Sequence, residues 1–164
     1  MVRVWISPEG VWEPYIARSN AAHLNLANEI AFSWGYIDKP PPFESPDYYK
    51  WALKQKRTPS QHLLANGWVR YSEGNVEGQP EAIRRNWTLI RDFVENDTIR
   101  YGMHVTVFFD IVDAEGRRTR SFQTSLEQVL KPFPPAGVFR EPSIVQQFRR
   151  RPESVMVRSY RRRR

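Results

Sequence analysis

Three groups of residues in this chain have the types and spacing to do chemistry. The first is a row on one alternating stretch. His104, Thr106 and Asp110 stand at i, i+2 and i+6, so a strand places them on one face. A histidine there could act as a general base with the carboxylate orienting it. The same row is also what the polar face of an antiparallel strand looks like, and this plainer reading is preferred. The second group is Lys50, Lys54, Lys56 and Arg57, interleaved with Tyr48 and Trp51. Rings that stack on bases, set beside cations that meet phosphates, are the means of holding single-stranded nucleic acid. A helix with its aromatics packed inward and its lysines solvated gives the same pattern and is the commoner cause. The third group is Arg149, Arg150, Arg151, Arg158, Arg161, Arg162, Arg163 and Arg164 near the C-terminus.

That third group is the strongest functional signal. The chain of 164 residues has a formal net charge of +7. Residues 138–164 hold nine arginines and two acids, which accounts for all of it, while the other 137 residues carry sixteen cations and sixteen acids. All nine cations are arginine, whose planar fork suits phosphate and carboxylate better than the compact lysine ammonium does. A phosphate-rich partner would bind such a segment through counterion release, without reading base sequence. A solubilising tail is the plainer alternative.

Little else points to catalysis. There is no cysteine, which excludes a disulfide framework, a thiol nucleophile and Cys-ligated zinc. HExxH, Walker A, GxGxxG and GxSxG motifs are absent. His23 and His62 sit beside apolar helical positions and read as core histidines. Glu9, Glu13 and Glu29 form no paired-carboxylate motif. The expectation is a protein that is not an enzyme and needs no cofactor. No apolar run approaches the ~18 residues of a membrane span, and Ser7-Pro8-Glu9-Gly10 interrupts any secretory leader at once.

The elements that must position these groups follow from periodicity. Val2–Ile6 and Val11–Ile16 read as a hairpin around Ser7-Pro8-Glu9-Gly10. Ser19 offers an N-cap for a helix over Asn20–Trp34, stopped by Gly35. The four prolines of Asp38–Pro46 mark a stiff loop. Pro46–Arg57 and Ser60–Asn66 predict short helices, and Trp68–Tyr71 a short strand. Ser72–Gln79 reads as a polar loop. Pro80 suits the first position of a long helix, Glu81–Asn96, broken at Asn96-Asp97. Tyr101–Phe122 is the central hairpin, turning at Asp113-Ala114-Glu115-Gly116. Thr124-x-x-Glu127 then reads as a capping box for a helix through Leu130. The predicted fold is α+β: an antiparallel sheet built on hairpins at about 2–16 and 101–123, packed by three or four helices. It forms one domain over 1–137 with an extended basic C-terminal arm over 138–164. In the arm, Val155 and Val157 alternate as a strand over Ser154–Tyr160 that could add to a sheet edge.

Trp5-Ile6-Ser7-Pro8-Glu9-Gly10, a helix carrying His62, and Gly67-Trp68-Val69-Arg70 together resemble small uncharacterised bacteriophage proteins in which a WISPxG-like opening precedes a helix and a GW[IV]R strand. The resemblance covers the first half of the chain. The proline-rich insert and the arginine tail depart from the pattern. It implies a phage origin, in a virion or the host cytoplasm, and no established activity. The expected function is thus a structural or accessory component of a nucleic-acid-containing assembly, with other subunits as partners and non-specific nucleic-acid contact through the arm. The alternative is a soluble nucleic-acid-binding accessory protein acting through its basic tail.

Overall fold

The computed structural model describes residues 2–10, 15–102 and 106–132. The arm over 138–164 with its arginines, the end of the 1–137 unit, Val11–Pro14 and His104 all lie outside the described residues. The described chain is α+β. Six strands form one sheet: β1 (Arg3–Ile6), β2 (Tyr15–Ala17), β3 (Val69–Ser72), β4 (Asn75–Gly78), β5 (Thr106–Val112) and β6 (Arg118–Ser125). Six helices accompany it: α1 (Asn20–Ser33), α2 (Pro46–Lys54), α3 (Pro59–Ala65), α4 (Pro80–Arg85), α5 (Trp87–Tyr101) and α6 (Leu126–Val129). The strand order is β2-β1-β3-β4-β5-β6.

The sheet is mixed, which corrects the expected antiparallel one. Residues 72–79 are not a loop. Glu73 and Gly74 take consecutive positive φ values of 45° and 89°, a tight turn that pairs Ser72 with Asn75 and returns the chain as β4. Helices α4 and α5 then carry the chain across, and β5 enters parallel to β4. Such a crossover is what a parallel pair requires.

The two faces of the sheet differ because side chains alternate along each strand while register aligns them across strands. Pairing brings Val4, Tyr71, Val76, Phe109 and Phe122 into one row across five strands. This apolar face packs with Ile83, Trp87, Ile90, Val94 and Val129 of α4, α5 and α6. The Trp87, Phe109 and Phe122 rings stack in sequence at 5.9 and 5.3 Å. On the opposite face Trp5, Trp68 and Val112 meet Ala27, Ile30 and Ala31 of α1 and Leu63 and Leu64 of α3.

Two further boundaries differ from expectation. The long helix is broken at Asn86, whose buried side-chain amide donates to the Ala82 carbonyl at 3.0 Å and the Ser7 carbonyl at 3.4 Å. The turn after β1 therefore locks against the α4–α5 junction. Helix α5 then runs past Asn96-Asp97 to Tyr101. Asp97 is held there by the Tyr71 hydroxyl, which donates to it at 2.6 Å, and the helix ends where Gly102 turns left-handed. The last helix is capped one residue later than expected, by the Ser125 hydroxyl accepting from the Gln128 N–H. The β5–β6 ladder extends to Ser125 and keeps Thr124 in the strand. Ser19 caps α1 as expected, accepting from the Ala22 N–H.

Candidate functional site

The second face of the sheet is only partly covered by helix, and its polar residues form a line. Register places Trp5, Arg70, Glu77, Asp110 and Ser121 side by side across β1, β3, β4, β5 and β6. Arg70 is the centre of this row. Its Nε donates to the Glu77 carboxylate at 2.8 Å, and a second guanidinium nitrogen closes an ion pair with the same oxygen. Its Nη1 donates to the Ser60 hydroxyl at 3.2 Å and lies 3.1 Å from His23 Nε2. Its guanidinium also sits 5.4 Å over the Trp5 ring, and His23 stacks on Trp5 with an 8° tilt. Further along, Asp110 accepts from the Ser121 hydroxyl at 2.7 Å and lies 3.8 Å from Arg118. Arg3, Arg70 and Arg118 together with Glu73, Glu77 and Asp110 line a groove of about 440 Å³ along this row.

A serine, a histidine and a carboxylate in one cluster raise the question of hydroxyl activation. Ser60 Oγ is 3.4 Å from His23 Nε2, but the geometry serves another purpose. A base must have a free lone pair, and His23 Nε2 faces the Arg70 N–H that reaches it. Burial, then Arg70 and Arg3, push His23 down to about 4, far below the near-neutral value that suits a general base. Glu77 neutralises Arg70 and does not orient the imidazole. The cluster is a half-buried knot joining α1, α3, β3 and β4. Truncating Arg70→Ala removes the ion pair, the ring contact and two hydrogen bonds while leaving Glu77 half-buried. It is expected to cost about 3 kcal/mol in urea unfolding. A cost below about 0.5 kcal/mol, typical of a surface pair, would show that the knot does not hold these elements together.

Of the row expected on the central strand, Thr106 and Asp110 lie on one face of β5 with Phe108 between them. Asp110 is engaged by Ser121 and Arg118. Val112, two residues further along on the same face, is buried with Trp5 and Trp68, and the ladder shifts register opposite it. The row through Arg70 and Glu77 escaped sequence reading because Asn75-Val76-Glu77-Gly78 is too short and too glycine-rich to read as a strand. The signal that was present is the alternation of Val76 with Asn75 and Glu77.

The cationic segment is divided by the fold. Lys50 and Lys54 are exposed on successive turns of α2, beside Tyr49 and Leu53, which are 70% and 69% exposed. The helix ends at Lys54, so Lys56 and Arg57 follow it in the connection to α3. The inward side of α2 is anchored by buried Tyr48, whose hydroxyl accepts from Asn28 at 2.7 Å. Of the expected arrangement, Tyr48 faces inward and Lys50 and Lys54 outward, while Tyr49 is exposed beside the lysines. Between α2, α3 and the chain after α1 lies a second opening of about 330 Å³, lined by Tyr36, Asp38, Trp51, Gln55 and His62. Burial and the neighbouring Arg57 lower His62 from the ordinary histidine value. Among the described residues no cluster of three or more His, Asp or Glu side chains could hold a metal. No described helix is long and apolar enough to cross a membrane.

No family model, curated protein or solved structure matches this chain.

Proposed function

We propose that the protein is a structural or accessory component of a nucleic-acid-containing assembly, built from an electrostatically balanced body and a basic arm that grips phosphate. One observation carries this reading: the whole net charge of +7 resides in residues 138–164, as arginine. The WISPxG-like opening supports a bacteriophage particle as the setting. The body adds a second basic surface on α2, where Lys50 and Lys54 flank exposed Tyr49 and Leu53. An exposed ring beside two cations suits stacking and phosphate contact. A soluble nucleic-acid-binding accessory protein is the second reading, supported by the same charge.

Binding of the full-length protein to generic DNA and RNA across a salt series, with particle mass measured alongside, tests both. Tight, salt-steep binding is expected. Changing Arg161, Arg162, Arg163 and Arg164 to Gln should reduce the log–log salt slope by up to about 3.6 on duplex DNA. Self-association, or binding that needs a second protein, favours the assembly component. Binding by a monomer favours the soluble accessory protein. Weak binding that ignores both salt and the arginine changes would overturn the nucleic-acid reading in either form.

A further inference from the structure

We infer that the groove between the β1–β2 end of the sheet and the last turns of α5 is a two-fold interface that receives a second copy of this chain. The inference stands on the body of the protein and does not depend on the arm. It starts where the core runs out. Trp87, Ile90, Val94 and Tyr101 stand at i, i+3, i+7 and i+14, one stripe of α5. The first three are buried, but Tyr101 is 54% exposed. Ile99 on the same turn is 79% exposed. Across the opening, Ile16 of the three-residue strand β2 is 48% exposed. These three side chains line one groove of about 390 Å³, together with Val2, Val4 and Phe93. Single exposed apolar residues are ordinary, whereas apolar residues gathered around one opening mark an interaction site.

The charges around this groove choose the occupant. Register sets Ile16, Val4 and Tyr71 in one row across β2, β1 and β3. Arg18, Val2 and Glu73 lie two positions further along these chains and line the same opening. Arg18 and Glu73 thus stand two strands apart, ~10 Å, too far to pair with each other. Among the described residues neither side chain has an ion pair or a hydrogen bond. Glu73 also takes a φ of 45°, a left-handed value that asparagine, aspartate and glycine adopt more readily. A glutamate held at such a position points to a use for its carboxylate. A two-fold axis through Val2, normal to this row, sets Arg18 against the partner's Glu73 and Glu73 against the partner's Arg18. Isologous interfaces require that reciprocity. Arg100 and Asp97 give the α5 side of the groove the same two signs. A partner of one sign, nucleic acid included, would meet two like charges among these four. Tyr101 adds an exposed ring of the kind that anchors protein interfaces.

The test is the mass of the full-length protein against its concentration, free of nucleic acid and at physiological salt. A dimer is expected to form below about 100 μM. Ile99→Asp, at a largely exposed helix position, should weaken it about tenfold with little change in melting temperature. Arg18→Glu and Glu73→Arg should each weaken self-association about tenfold by setting like charges together. Mixed one to one, these two variants should recover the parent affinity, because each copy then meets its complement at both contacts. Mixing repairs no folding defect, so this recovery keeps the test decisive if Ile99→Asp disturbs the helix. A parent protein that stays monomeric at that concentration, a dimer that survives Ile99→Asp, or a mixture that recovers nothing overturns the inference. Self-association that is lost when Arg161–Arg164 become Gln, and ignores the groove variants, belongs to the arm and overturns it too. None of these results touches the arm's salt-steep binding of DNA and RNA, and loss of that binding would leave the groove dimer in place.

Discussion

Gly116→Ala is expected to lower the folding stability by about 3 kcal/mol, seen as a shift of the urea midpoint with little change in slope. Two effects add. Gly116 has φ +80° in the β5–β6 turn, where any side chain costs about 1–2 kcal/mol. The turn is also buried against α3. A Cβ here would press well inside contact distance on the Gln61 carbonyl oxygen and come within 3.1 Å of the Ala65 nitrogen. Both obstacles are backbone, so neither can swing aside, and overpacking of this kind costs about 1–3 kcal/mol. Gly35→Ala is the matched control. Gly35 has φ +81°, yet nothing lies within 4 Å of the point a Cβ would occupy, so only the conformational cost of about 1 kcal/mol applies. Equal losses at the two positions would show that the central turn is not seated on α3.

Stability is expected to fall by about 3 kcal/mol between pH 6.5 and pH 4, chiefly through His23. The sign follows from which state binds the proton. Burial, then Arg70 and Arg3, depress His23 from 6.5 to about 4 in the folded chain. Above pH 6.5 the ring is neutral in both states and the contribution is full. As pH falls through 6.5 the unfolded chain takes up a proton that the folded chain refuses, and stability drains until the folded ring also titrates near 4. His62 is lowered by burial and Arg57 and adds a loss of the same sign. Asp113, held down by the backbone N–H groups of Arg117 and Glu115, adds its own only at more acidic pH. His23→Gln should flatten most of the decline when unfolding is measured by denaturant at successive pH values. A slope that the substitution leaves unchanged would place the responsible proton elsewhere.

Several expectations read from the chain depend only on neighbours within a few residues, and these are present in the fold. Ser19 caps α1 because a hydroxyl one position before a helix can reach its first free N–H groups. The Thr106–Val112 strand and its return at Gly116 follow from strict alternation and one glycine. The inward Tyr48 and the outward Lys50 and Lys54 of α2 follow from helical spacing. The partition of charge between body and arm needs no structure at all.

What the local pattern could not give depends on contacts between residues far apart in sequence. The helix predicted over Glu81–Asn96 breaks at Asn86, whose amide donates to the local Ala82 carbonyl at 3.0 Å. The same amide also reaches the Ser7 carbonyl, 79 positions away, a partner that no local window contains. Asn75–Gly78 has weak strand propensity, yet it becomes a central strand because Arg70 and Phe109 flank Glu77 and Val76 on either side. The polar row from Trp5 to Ser121 is written in no stretch of sequence. It exists because strand register aligns five residues from five strands, and because α1 and α3 bury His23 against it. The opening between α2 and α3 has the same origin: Tyr36, Trp51 and His62 belong to three separate segments, and only their packing makes one wall. Sequence by itself determined the local elements and the charge of the arm, since propensity, capping and alternation act over one or two turns. Tertiary structure alone decided register, the contact of Asn86 with Ser7 and both polar openings, since these arise from packing and hydrogen bonds that no local window contains.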